Sequence, residues 1–365
     1  MVRVLQVLDN ITAGGIQSFV MNVYRNIDRD KIQFDFLIHH TYEKSYLGEI
    51  NDLGGKVYVL PSRNEGVMNN RKQLDAFFTK HKGEYDAVHL HESSLSYIEP
   101  LKYAKKHGVP IRIMHSHSTK VPSNIIHRVL HKLNKSKIGK VATDYLACGQ
   151  MAAEWMYGGS NVCSKVKVVF NGINLSKFDF SEQKRAQTRE RLGVSDKLVI
   201  GHVGRFEPVK NQKFLIDIIS CLKDRGIDCE LILAGNGRTF EDTKKYAEEL
   251  VVSDCVQFLG IQSDVDSLYM AMDVMVLPSL YEGFPVTAIE AEATGVPCIL
   301  ADTITKEAMI KDNVCYLSLF DSINNWADEV VKPKERLTDN AVLYERGFDI
   351  CFTVEQLSLL YLSAS

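Results

Sequence analysis

The stretch 273–300 constrains the fold of this chain more than any other. Asp273-Val-Met-Val-Leu277 and Val296-Pro-Cys-Ile-Leu300 are apolar runs of strand length. Between them, Val286 to Ala293 is rich in good helix formers, with Gly295 past its end and Pro297 just beyond. A strand, loop, helix and strand in that order place the two strands parallel in one sheet, since a parallel neighbour needs a crossover of this length. The loop ends Glu282-Gly-Phe-Pro285. Pro285 fits the first helical position, where its missing N–H costs nothing. The amides of Val286 and Thr287 are then left free at a positive helix end, a seat for an anion such as a diphosphate. Glu282 stands beside Gly283, where no side chain blocks a ligand, and Glu290 lies one turn past Val286 on the same side. Carboxylates repel phosphate but accept hydrogen bonds from sugar hydroxyls. An anion seat between two of them suits a nucleotide sugar, with ribose at one Glu and hexose at the other.

A length of 365 residues allows about two domains, each with a full core. With 45% hydrophobic and 24% charged residues the chain is globular, and a net charge of −3 provides no field that would favour nucleic acid. No apolar run approaches the roughly 18 residues of a membrane span. Met1 to Leu8 is a short alternating strand rather than a signal peptide. The eight Cys form no C-x-x-C pair and mostly sit in apolar runs. They read as reduced core residues of a cytoplasmic protein, not as a disulfide frame or zinc site.

Strand and helix patterns alternate along the N-terminal half. The first strand runs into Gly14-Gly15, where the backbone can approach a ligand closely and the next helix points its N-terminus. This turn lacks the G-x-G-x-x-G of dinucleotide binders. Two later strands, 85–90 and 110–114, end in His89-Leu-His91 and His115-Ser-His117. The carboxyl ends of parallel strands face a ligand crevice, so these histidines can orient an acceptor hydroxyl or a leaving phosphate. His117 is preferred over His115, which is nearer the buried strand end, and His91 comes next. From Lys120 to Lys140 there are six Lys/Arg and no Asp or Glu, with apolar residues at helical spacing. This is a basic amphipathic helix, suited either to an anionic membrane surface or to the core with a solvated basic face. Two Asp-x-Asp triplets, Asp28-Arg-Asp30 and Asp264-Val-Asp266, read as a polar turn and a helix cap rather than as metal ligands.

Two Glu with seven residues between them, Ser279, Glu282-Gly-Phe-Pro285, Glu290-Ala291 and Gly295-Val-Pro297 together resemble the signature of the retaining glycosyltransferases of family 4. Further along the same resemblance, Gly204-Arg205 and Lys210 match a phosphate-binding element, and Asn171-Gly-Ile-Asn174 matches the family's exit from its first domain, with Asn174 in place of an Asp. The resemblance implies a GT-B fold: two doubly wound Rossmann-like α/β domains facing across a cleft. It implies an acceptor-binding domain over 1–175, a donor-binding domain over 176–347, and a last helix, about 348–365, packing back on the first. Arg205 and Lys210 would neutralise the departing diphosphate in place of a metal ion, with no cofactor required, and His117 and Glu282 would serve the donor sugar. Gly14, Gly15, Gly235, Phe284, Pro285, Val286, Thr287 and Glu290 would line the donor, with His91 and His115 at the acceptor. The implied reaction transfers a hexosyl group from a nucleoside diphosphate sugar, UDP by preference, to a lipid-linked glycan in capsule or exopolysaccharide assembly. The enzyme would be cytoplasmic, or peripheral on the inner face of the membrane. A nucleotide-sugar epimerase and a non-catalytic nucleotide-sugar-binding protein are the alternatives.

Overall fold

The computed structural model describes residues 1–12, 14–43, 45–118 and 124–363. The chain divides into two compact units, Met1–Ile173 with Gly347–Ser365, and Asn174–Arg346.

The first unit is built on seven strands: β1 (Val2–Val7), β2 (Ile32–Ile38), β3 (Val57–Val59), β4 (Ala87–Glu92), β5 (Ile111–Ser116), β6 (Asp144–Ala147) and β7 (Lys167–Val168). They pair in the order β3-β2-β1-β4-β5-β6-β7, every pair parallel. Helices cover both faces, so the central strands are apolar on both sides. Two separate cores result. One face packs Val4, Phe34, Phe36 and Ile113 against Phe19, Met21 and Tyr24 of the Gly15–Asn26 helix. The other packs Leu5, Val88 and Met114 against Leu74, Phe78 and Leu101. The last helix, Ile350–Leu362, completes the first core with Ile350, Leu357 and Tyr361.

The second unit has six parallel strands: β8 (Leu198–Val203), β9 (Cys229–Ala234), β10 (Val256–Gly260), β11 (Val274–Leu277), β12 (Cys298–Ala301) and β13 (Val314–Leu317). Their order is β10-β9-β8-β11-β12-β13. In both sheets the order reverses beside the unit's first strand, between β1 and β4 and between β8 and β11. Helices diverge from such a point and leave a crevice at the strands' carboxyl ends, where α/β proteins bind ligands.

Several expectations change. The second unit closes with helices Ile323–Val331 and Ala341–Glu345, which sequence reasoning did not anticipate. None of the eight Cys is in a disulfide, but Cys163 and Cys351 are exposed, so they are not uniformly core residues. The basic segment forms a helix, Ile125–Lys135; Lys120 lies outside the described residues. That helix is inverted. His131 and Asn134 are its buried residues, holding the amide and carbonyl of Leu95 at 3.1 and 2.7 Å, and His131 stacks on Trp155. Ile125, Ile126, Val129 and Leu133 are all at least half exposed. The core-facing reading of its apolar residues therefore falls: the polar face is the anchored one.

Candidate active site

The second unit's crevice is formed by the loops after β8 and β11. Backbone bonds pin them together: the Leu280 amide donates to the Val209 carbonyl at 2.8 Å, and the Asn211 side-chain amide donates to the Pro278 carbonyl at 3.2 Å. Asn211 takes the left-handed conformation, φ 55°, which Asn tolerates better than most residues. Across this seam Lys210 Nζ meets Glu282 Oε1 at 2.5 Å, with both side chains mostly buried. Ser279, fully buried, donates its hydroxyl to the same oxygen at 2.7 Å. Thr303, on the chain after β12, holds the Ser279 carbonyl at 2.6 Å. Arg205 is exposed, and its carbonyl is held by the Gln212 amide at 2.9 Å.

The helix after Glu282 spans Val286–Ala293, with Pro285 at the N-cap rather than at the first helical position. The Val286 amide is not free as expected, because it is spent on the Phe284 carbonyl at 3.1 Å. Thr287 keeps a first-turn amide, which a helix cannot satisfy internally. Its hydroxyl is buried with no partner among the described residues. Glu290 accepts from the Tyr269 hydroxyl at 3.0 Å, and burial pushes its carboxyl up to about 7, so near neutrality it can donate as well as accept. Phe284 is buried beside the helix start. Gly235 (φ 137°) needs no ligand to explain it, since a Cβ there would fall 2.0 Å from the Gly204 carbonyl.

In the first unit, Gly14 caps the Gly15–Asn26 helix in extended conformation, and a Cβ on Gly15 would meet nothing within 4 Å. The fold does not require a glycine at 15. The histidines lie on one face of β4 and β5, because alternate residues point the same way and His91 pairs with His115 in register. His115 is fully buried and His91 nearly so. Both nitrogens of His91 are taken, by Gln6 and His117, while His115 Nε2 is buried with no partner among the described residues. His117 is only partly buried and stands in front of them. Burial depresses all four imidazoles, His117 to about 3, so they are neutral. Donor atoms of His89, His91 and His115 lie within 4.8 Å of one another, a geometry open to a metal ion. The rings of His89 and His91 stack at 4.0 Å, and every nitrogen of the three but His115 Nε2 is engaged with another ring, Gln6 or Tyr361.

Sequence reasoning missed the partners of these histidines, Gln6 and Tyr361, as well as Thr303 and Asn211. The alternation Val-Leu-Gln-Val in β1 is the one available sign, a polar residue inside an apolar strand. The Asp-x-Asp triplets are committed to ion pairs: Asp28 with Lys31, Asp264 with Arg191, and Asp266 with Lys177 and Lys184. Asp264 sits at a helix N-cap but makes no side-chain cap bond.

Comparison with known proteins places this geometry. Residues 13–177 match the glycosyltransferase family 4 model and residues 184–334 the glycosyl transferases group 1 model. EpsF of Bacillus subtilis (strain 168), named as a glycosyltransferase, is 36% identical over 340 residues, covering 90% of this chain and 87% of the relative. A UDP-Gal:alpha-D-GlcNAc-diphosphoundecaprenol alpha-1,3-galactosyltransferase of Escherichia coli is 24% identical over 95% of this chain and 93% of its own. Among solved structures, Anabaena HepE in complex with UDP-glucose superposes with a TM-score of 0.77 at 19% identity over the whole of both chains, a likeness of GT-B fold. The two tandem domain matches and the near full-length likeness to EpsF show that this chain is a glycosyltransferase belonging to family 4.

Proposed function

We propose that this enzyme moves a hexosyl group from a UDP-sugar to a hydroxyl of a lipid-linked glycan, with retained configuration, in exopolysaccharide or capsule synthesis. The observation that carries the reading is the Lys210–Glu282–Ser279 cluster at the second sheet's switch point. In it an ammonium and a carboxylate neutralise each other across two pinned loops. A diphosphate arriving beside Lys210 competes for the ammonium and releases Glu282 to accept from a sugar hydroxyl. As the glycosyl bond breaks, charge grows on the departing diphosphate, and Lys210 and Arg205 stabilise it with no metal required. The Thr287 amide and hydroxyl supply further donors at the helix start. Glu290, with its raised pKa, reads a hydroxyl of the ribose. In the first unit, His117 meets a sugar hydroxyl and the Gly14-Gly15 turn an anionic group. The leaving phosphate assists deprotonation of the acceptor on the same face.

The named substrates of two similar proteins support the choice of ligands: the E. coli relative is named for a UDP-galactose donor and a diphosphoundecaprenol acceptor, and HepE was solved with UDP-glucose. No helix among the described residues is long and apolar enough to cross a membrane. The exposed Ile125, Ile126, Val129 and Leu133, interleaved with Arg128 and Lys132, suit peripheral binding to an anionic bilayer, where the lipid-linked acceptor would lie.

The test is a thermal-shift screen of nucleotide sugars, since a ligand that binds only the folded state raises Tm. UDP-sugars should raise it, and EDTA should leave turnover intact. Failure of every UDP-sugar to bind would sink the donor assignment. UDP released without any acceptor would favour an epimerase or hydrolase, and binding without turnover a non-catalytic protein.

A further inference from the structure

The buried histidines form one continuous hydrogen-bonded line through the first unit, with Gln6 at its centre. The Gln6 amide oxygen lies 2.8 Å from His91 Nε2, and His91 Nδ1 lies 2.8 Å from His117 Nε2. On the other side, the Gln6 amide nitrogen donates to the Tyr361 hydroxyl at 3.3 Å. That hydroxyl lies 2.7 Å from His89 Nδ1, and His89 Nε2 lies 3.1 Å from His115 Nδ1. The line has two open ends, His117 Nδ1 and His115 Nε2. Both are buried and both lack a partner among the described residues.

A neutral imidazole donates from one nitrogen and accepts at the other, so one fixed link determines every proton along such a line. The Gln6 oxygen can only accept. His91 must therefore carry its proton on Nε2 and accept at Nδ1. His117 must then donate from Nε2, which leaves its Nδ1 a bare acceptor. On the other side Gln6 donates to Tyr361, whose hydroxyl proton goes to His89 Nδ1, and His89 donates to His115.

We propose that Gln6 is a positioning residue that, through His91, locks His117 in the tautomer whose Nδ1 accepts, so that His117 recognises a hydroxyl donor on a bound sugar and not a phosphate oxygen. The proposal rests on the reading of His117 as a ligand-facing residue. It assigns Gln6, His91 and Tyr361 a purpose that core packing alone would not require, because an apolar trio would fill the same space without orphaned ends.

The experiment uses the full chain labelled with [15N]histidine, with His117 signals identified by their absence in His117→Ala. NMR then shows directly which His117 nitrogen carries hydrogen. The expected result is hydrogen on Nε2 and a bare Nδ1. In Gln6→Leu the signals should show both tautomers, with turnover of the donor selected in the screen falling about tenfold, the worth of one neutral hydrogen bond. Gln6→Glu, which keeps the accepting oxygen, should keep the His117 tautomer and most of the turnover, and it guards against a misfolded Leu variant. Hydrogen on His117 Nδ1 in the wild-type protein, or an unchanged tautomer in Gln6→Leu, would overturn the lock. An intact lock with undiminished turnover in His117→Ala would instead overturn the ligand-facing reading beneath it.

Discussion

The two units share a strand order around their first strands, yet each equips its own switch-point edge with a different chemistry. The first unit lines its sheet edge with neutral imidazoles, His89, His91, His115 and His117, all depressed by burial. The second lines its edge with an ionic pair, Lys210 against Glu282, and with the Glu290 carboxyl, raised by burial to about 7. Topology creates a place for a ligand in each unit, while side-chain chemistry decides what kind of group that place suits. A charged, donor-rich edge suits a diphosphate. An uncharged edge whose open acceptor is His117 Nδ1 suits a hydroxyl.

The largest expected effect breaks this contrast at its charged side. Lys210→Ala should lower turnover about a hundred- to a thousandfold, the usual cost of removing one preorganised charge partner, with Tm little changed. Glu282→Ala should cut sugar use while UDP still binds. Equal loss of UDP affinity in both variants would erase the division between phosphate and sugar roles.

A second test uses pH. Below about 6.5 the unfolded chain binds protons that buried imidazoles refuse, so stability falls as pH drops, by up to about 1.4 kcal/mol per imidazole per pH unit. A raised carboxyl acts in reverse: between about 4.5 and its folded value the native state holds a proton the unfolded state has released, and stability rises as pH drops. The first unit sets the four edge histidines and His131, which is lowered to about 4, against Glu92, raised to about 8. The second sets His202, lowered to about 4, against Glu290 and Glu292. Between pH 6.5 and 5.5 hydrogen exchange should therefore show the first unit loosening by several kcal/mol and the second holding. Parallel loosening of both would contradict the assignment.

Smaller effects sharpen the comparison. Replacing Ile126, Val129 and Leu133 with Ser should abolish binding to phosphatidylserine vesicles at unchanged Tm, because those side chains are exposed. Retained binding would rule out the inverted helix as the anchor. Thr287→Val should leave stability the same or slightly higher, by less than about 1 kcal/mol, since its buried hydroxyl has no partner to lose among the described residues. It should weaken UDP binding a few-fold, and unchanged affinity would remove Thr287 from the phosphate seat.

Much of this was legible because local rules and the fold agree. The Val286–Ala293 helix has the bounds read from its formers and its Gly295 stop. The helix Ile125–Lys135 shows where reading stopped. Its amphipathic pattern was plain, but which face turns inward depends on Leu95 and Trp155, which belong to distant segments. The depth of His91 and His115 was hidden for a related reason. The sequence places them at a strand end, but their burial depends on Phe19 and Gln6, which pack against them.

By itself the sequence determined the alternating parallel architecture and the residue types at both switch points, because periodicity, turn residues and strand ends are local properties of the chain. Only the tertiary structure decided that Lys210 closes on Glu282, that the basic helix turns its apolar side outward, and that four histidines join through Gln6 to Tyr361. Each of these is set by contacts between residues far apart in the chain, and burial, which fixes their charge and protonation, exists only once those contacts form.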